Sequence, residues 1–181
     1  MAQNIRIESI TGSRRFSNYF WTSFLFIGGL GFLLAGLSSY LKINLLPFTN
    51  SIELSFIPQG IVMIFYGSLS LSLSLYISFT IILDIGSGYN EYNLDESIIK
   101  IIRQGFPGEN RNIFLTYPFE NVKSIGIKIT DGLSPKRTIF LCLKDSRKIP
   151  LTAVGNPMPI AELERMAADI AKFIDIDLEN L

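Results

Sequence analysis

The side chains able to do chemistry are few in this chain, and their spacing does not gather them into a site. Histidine is absent, which removes Ser-His and Cys-His nucleophilic pairs and histidine-held zinc, haem or chlorophyll together. The single cysteine, Cys142, has no second thiol with which to form an internal disulfide. Asp95 and Glu96 suggest an acid-base pair, but neighbours on a strand point to opposite faces. Serine-lysine chemistry lacks a local pattern that would mark a nucleophile and its base. Gly86-Ser87-Gly88 resembles a phosphate loop, yet no G-K-[ST] follows and no helix opens after it. The expectation is a protein that is not an enzyme, with no catalytic, metal or cofactor-binding residues and no cofactor.

Charge adds one cluster. Lys136, Arg137, Lys144, Arg147 and Lys148 surround one predicted hairpin. With acidic residues interspersed, the plain reading is a solvated face. The sharper one is contact with anionic headgroups or an acidic protein, worth about 1 kcal/mol per residue near a charged membrane. Sixteen basic residues balance sixteen acidic ones, so no net field draws the chain to nucleic acid.

The elements around these residues are dominated by apolar runs. Hydrophobic residues make up 48% of the chain and charged ones 18%, under the roughly 25% of a soluble domain. Pro58 to Leu83 carries no charge until Asp84, long enough to cross a hydrocarbon core of about 30 Å. Serines alternate with leucines from Ser68 to Leu75, which is a strand period, but a lone strand in lipid leaves its backbone unpaired, so a helix is expected. Tyr19 to Leu41 is the second candidate span, with Tyr19, Trp21 and Tyr40 at its ends, where amphipathic rings favour the interface. Its apolar core is too long for a cleaved secretory signal. Arg14 and Arg15 flank it, whereas the connection 42–57 carries only Lys42 and Glu53. The positive-inside tendency then puts the N-terminus on the cytoplasm-like side, and two spans return the C-terminus to it.

Small residues recur at three or four positions: Gly28, Gly31, Ala35 and Ser39 on the first helix, and Gly67, Ser70, Ser74 and Ser78 on the second, with Gly60 seven earlier. Such stripes let backbones approach, so they predict packing of the two helices in a hairpin ahead of a docking face for a partner helix. Neither span holds an ionisable residue, which argues against a transporter or channel.

Beyond Leu83, Ile85–Asn93 reads as a Gly, Asn and Tyr-rich joint at the membrane surface. Ser97–Arg103, Asn112–Tyr117, Val122–Thr130, Thr138–Leu143 and Ile149–Ala153 then read as strands of an antiparallel sheet, separated by turns at GFPGEN, Asp131-Gly132 and Asp145-Ser146. Asn156 and Pro157 announce a final helix, with Ile160, Leu163, Ala167, Ile170 and Ile174 on one stripe to cover the sheet. The fold class is thus an α+β membrane protein: a two-helix transmembrane hairpin plus a small antiparallel β domain covered by a C-terminal helix. In element order that domain is similar in outline to pleckstrin-homology-like domains. The expected divisions are a polar, basic segment 1–18, a two-span hairpin 19–83 with loop 42–57, and a domain 84–181 with its helix at 157–174.

Six blocks carry a family resemblance: ITGSRRFSN at Ile10, LGFLLAGLSSYL at Leu30, PQGIVMIFYG at Pro58, GSGYNEY at Gly86, RQGFPGENRNIFL at Arg103 and IPLT at Ile149. In order and over nearly the whole chain, they resemble the photosystem I assembly protein family of plastids and cyanobacteria, the fourth of the plastid hypothetical-frame series. The resemblance implies a multi-pass protein of the plastid thylakoid with both termini in the stroma, a non-enzymatic scaffold for the photosystem I complex. Its implied partners are photosystem I subunits, other assembly factors and the thylakoid bilayer, within an oligomer or larger complex, and no nucleic acid. The isoleucine- and asparagine-rich composition suggests a plastid-encoded algal copy. Glu162 and Glu164 match an acidic pair in the family's terminal helix and, with Arg111, are the expected partner contacts. The chain departs from the family where Asn112 follows Arg111 in place of a second basic residue.

Overall fold

The structure, a computed structural model, describes residues 4–47, 50–109, 111–130, 136–152 and 158–180. The chain forms two compact units, one from Ser13 to Asp84 and one from the residues on either side of that stretch.

The first unit is a pair of helices. Helix α1 runs over Phe16–Leu41 and ends at Lys42 in the left-handed conformation (φ 56°). A single wide turn over Phe56–Gly60 leads into α2, Ile61–Ile82. Both are long and apolar enough to cross a membrane. Arg14 donates to the carbonyl oxygens of Ile81 (3.3 Å) and Ile82 (3.4 Å). A cation there meets the negative end of the α2 dipole and the last carbonyls of the helix.

The second unit contains two four-stranded sheets. The first has the order β1 (Ile5–Ile10), β2 (Gly88–Asn93), β3 (Ile98–Gln104), β4 (Asn112–Pro118), antiparallel throughout. The second has the order β7 (Lys148–Pro150), β6 (Lys136–Leu143), β5 (Val122–Thr130), β8 (Asp177–Asn180). Strand β8 lies parallel to β5, so this sheet is not wholly antiparallel as expected. Helix α3 spans Ile160–Ile174 and buries Leu163, Ala167, Ile170, Ala171 and Ile174. These join Ile99 and Ile101 of β3, Ile125 and Ile127 of β5 and Ile139 and Leu141 of β6 in one core. The helical stripe read from sequence is the buried one, except that Ile160 lies exposed at its start.

Three local expectations are corrected. The polar segment 1–18 contains a strand, because β1 turns Arg6 and Glu8 inward and leaves Ile5 and Ile7 exposed at 45% and 61%. Its apolar and polar positions are inverted relative to an ordinary half-buried strand. The joint 85–93 is mostly β2, whose Asn90, Tyr92 and Asn93 are buried. Asp95 and Glu96 sit in the turn between β2 and β3, where they bond Asn4 (2.7 Å) and Lys100 (3.1 Å). The turn expected at Asp131-Gly132, the Asn110 and Ala153 positions and the Asn156-Pro157 helix signal lie outside the described residues.

Glycine is required where the two chain crossings meet the first sheet. A Cβ on Gly88 would run into the Ile102 carbonyl, and one on Gly12 into the backbone of Ser87, Ile85 and Gly86.

Truncating the fully buried Leu163 to alanine should lower stability by about 2–5 kcal/mol. Ile160→Ala should change it by less than about 0.5 kcal/mol. Thermal unfolding in detergent distinguishes them, and equal losses would contradict the assigned core.

Candidate functional site

The helix pair is built on backbone contact. A Cβ on Gly29 would lie 3.1 Å from the Gly67 carbonyl oxygen, and one on Gly36 would lie 2.7 Å from that of Gly60. Gly29 and Gly36 of α1 stand seven residues apart, as do Gly60 at the N-terminal cap of α2 and Gly67 within it, and the antiparallel pairing matches Gly29 with Gly67 and Gly36 with Gly60. Two hydroxyls cross the interface: Ser70 Oγ donates to the Leu25 carbonyl and Ser74 Oγ to that of Thr22, both at 2.9 Å. Ser39 Oγ donates to Leu54 O at 2.7 Å, tying α1 to the connection between the helices. By contrast Ser68 and Ser72 turn back onto Ile64 and Ser68 of their own helix.

Of the residues read from sequence as packing positions, Ala35, Gly60, Gly67, Ser39, Ser70 and Ser74 are at this interface. Ser78 lines a shallow groove with Thr22, Ser23, Phe26, Ile27 and Ser74. A Cβ on Gly28 or Gly31 meets nothing within 4 Å. Those two glycines lie off the contact line, on which Gly29 and Gly36 stand instead. The seven-residue spacing shared by 29/36 and 60/67 was the available signal.

In the second unit a small cavity of about 100 Å³ lies against Glu8, Ile10, Asn90, Arg137, Leu151 and Leu163. Its polar side chains are largely engaged with the protein itself. Glu8 accepts from Arg6 (2.6 Å) and more weakly from the Tyr92 hydroxyl (3.4 Å). Asn90 Nδ2 donates to Leu151 O at 2.9 Å, and its Oδ1 accepts from Arg103 at 2.7 Å. Arg103 also donates to Leu151 O, at 3.3 Å, and so links β2 and β3 to the chain following β7. Arg137 donates to Met158 O at 2.9 Å, while its Nε has no partner among the described residues. Burial pushes the Glu8 carboxyl above its ordinary value, against the pull of Arg6. Burial likewise pushes the Tyr92 phenol up and Arg103 down. A raised carboxyl in a cavity invites an acid-base reading, but both oxygens of Glu8 are taken. The geometry is that of a tie holding β1 to β2.

The five basic residues do not form one patch. Lys136 and Arg137 open β6, whereas Lys144, Arg147 and Lys148 follow its far end, roughly 23 Å of strand away. The second group shares a groove with Lys123, Cys142 and Glu179. Lys123 pairs with Glu179 at 3.0 Å and draws its carboxyl below the ordinary range, and Arg147 pairs with Asp145 at 2.6 Å. Arg111 is exposed in the turn between β3 and β4. Glu162 and Glu164 are exposed on α3, and two residues apart on a helix they lie about 200° around it, on opposite flanks of the buried stripe.

These features define a class, an α+β protein built around a glycine-packed hairpin of two apolar helices. The chain belongs to the Ycf4 family, whose profile matches residues 3–172. It is similar to "Photosystem I assembly protein Ycf4" of Phaeodactylum tricornutum (strain CCAP 1055/1), 65% identical over 181 residues and the full length of both chains. The protein of that name from Trieres chinensis is 62% identical over the same full length. That from Pyropia yezoensis is 58% identical over 177 residues, 98% of this chain and 95% of the relative.

Two outcomes follow. Gly67→Ala should disrupt the hairpin, because its Cβ would sit 2.6 Å from Leu33 N, while Gly31→Ala should be silent. Cysteine crosslinking between the helices in nanodiscs reads the difference, and equal effects would contradict the contact line. For Glu8, the folded form holds its proton more tightly than the unfolded chain, so stability declines as pH rises from about 4.5 through the raised value. Glu8→Gln should flatten that part of a plot of unfolding midpoint against pH, and an unaltered slope would place its source elsewhere.

Proposed function

We propose that this chain is a non-enzymatic assembly factor for the photosystem I complex in the thylakoid membrane. The observation that carries the reading is the full-length similarity to relatives named photosystem I assembly protein. In this reading α1 and α2 cross the bilayer as a hairpin. Their uncharged lengths support it, as do the exposed aromatic rings along both helices, since lipid tolerates such rings where water does not. The arginines before α1 and the single lysine in the connection favour both termini in the stroma.

The division of labour is a membrane hairpin 19–83 and a stromal unit closed by α3, the latter with a pleckstrin-homology-like outline. The stromal unit works by touching other proteins. Glu162 and Glu164, on separate flanks of α3, serve two contacts rather than one, and Arg111 serves a third. Partners are photosystem I subunits and other assembly factors, gathered in a larger complex.

Affinity purification of the tagged chain under mild detergent should recover photosystem I subunits, and deletion should deplete that complex selectively. Equal depletion of the other photosystem would overturn the proposal, as would protease mapping that puts the last hundred residues in the lumen. Charge reversal at Glu162 or Glu164 should each reduce recovery several-fold, with different subunits lost.

A further inference from the structure

We infer that the groove beside the β6–β7 turn is a docking site for an extended acidic segment of a partner protein, which rests on the reading of this chain as one that acts by binding other proteins.

The groove has a volume of about 450 Å³, within the range of sites that take a sizeable ligand. Cys142 and Leu143, both buried at the end of β6, lie at its base. Lys123, Lys144, Arg147 and Lys148 ring it. Lys123 is matched by Glu179 and Arg147 by Asp145. Lys144 and Lys148 are exposed and make no ion pair among the described residues. The groove therefore holds two cations in excess.

Backbone bonds fix where these lysines stand. Lys144 N donates to Asn121 O at 2.9 Å, just before β5 begins. Leu143 N and Ser146 N close the turn onto Arg147 O (2.9 Å) and Leu143 O (3.0 Å). Lys148 pairs across the ladder with Cys142, so its side chain leaves the sheet on the same face as the thiol.

A carboxylate is already stabilised in this groove. Lys123 foremost, with smaller help from Ser124 and Lys148, holds Glu179 below the ordinary carboxylate range. An incoming carboxylate would meet the same kind of field at Lys144 and Lys148 without displacing a resident acid. The resident acids also select the ligand. Glu179 and Asp145 stand among the cations and would repel the dense phosphates of a nucleic acid or a layer of anionic headgroups at close range. A polypeptide with spaced carboxylates can set one against each free lysine and pass the resident acids with uncharged residues. A flat bilayer, moreover, does not follow a concave base.

A fluorescent peptide of glutamate alternating with serine tests this on the full chain in uncharged detergent micelles, with binding read by anisotropy at low salt. The Lys144→Glu/Lys148→Glu variant should weaken binding about tenfold, while Lys128→Glu/Lys136→Glu, the same charge change at the far end of β5 and β6, should leave it within about twofold. Absence of binding to the wild-type chain overturns the inference, and equal losses in the two variants overturn it as general attraction to positive charge. A second measurement needs no charge reversal. In a Cys142→Ser background, Ser146→Cys or Lys136→Cys supplies the only thiol. A peptide ending in an activated disulfide should capture the thiol at 146 about fivefold faster, because docking raises its local concentration there; equal rates overturn the inference. Displacement of the peptide by inorganic phosphate or by short-chain phosphatidylglycerol at matched ionic strength also overturns it and gives the lysines to a phosphate group. The peptide assay contains no photosystem I, so it separates the two readings. Peptide binding without recovery of photosystem I subunits upholds the groove and overturns the assigned complex, whereas recovery without peptide binding does the reverse.

Discussion

The pairing of β1 with β2 is the constraint on which the other elements depend. These strands are neighbours in the sheet but stand apart in the chain by the whole helical hairpin, from Thr11 to Ser87. In effect the two helices are the loop of a β-hairpin. Closing a long loop costs entropy that grows only slowly with length, so the insertion is affordable provided its ends are brought together by something rigid. Antiparallel contact between α1 and α2 does that from one side, and six backbone pairs between β1 and β2 do it from the other.

Each half of that closure uses a different physical device. In the hairpin, read as proposed to lie in a bilayer, hydrophobicity would offer no net attraction between helices already in an apolar medium, so close backbone approach and hydroxyl-to-carbonyl bonds would supply it. Gly29, Gly36, Gly60 and Gly67 give the approach, and Ser70 and Ser74 give the bonds. In the other unit the tie is electrostatic and half-buried. Arg6, Glu8, Tyr92, Asn90 and Arg103 satisfy one another beneath a strand whose apolar residues point outward. Removing one member of such a network leaves another unpaired in a poor solvent, so these side chains stabilise the sheet as a set.

Much of this was legible in the sequence, and the misses have physical causes. Uncharged runs marked both helices, period-two alternation marked β3 to β6, and a 3.6-residue stripe marked α3. Strand β1 escaped because its polar residues are the inward ones, so an ordinary reading of alternation has no purchase on it. Strand β2 escaped because Gly88, Asn90 and Asn93 are turn-formers by propensity and are strand residues only by virtue of their neighbours. On α1 the stripe 28/31/35/39 includes Gly28 and Gly31, where a Cβ would meet nothing, and leaves out Gly29 and Gly36. Gly28 and Gly31 stand three residues apart and Gly29 and Gly36 seven; both intervals return to one helix face, and only the matching interval of Gly60 and Gly67 separates them. The partner contacts Arg111, Glu162 and Glu164 came from family likeness, and nothing in their local spacing marks them.

The placement of the helices inside a β ladder also bears on how the protein is made. While the ribosome is still producing the second helix, the first strand has no mate and cannot form its sheet. On the proposed reading of α1 and α2 as spans, a chain with one helix left out of the bilayer would strand the two halves of the ladder on opposite sides of it. The sheet unit would then stay open and exposed to proteolysis. On that reading, placing both helices in the bilayer becomes a condition for closing the sheet.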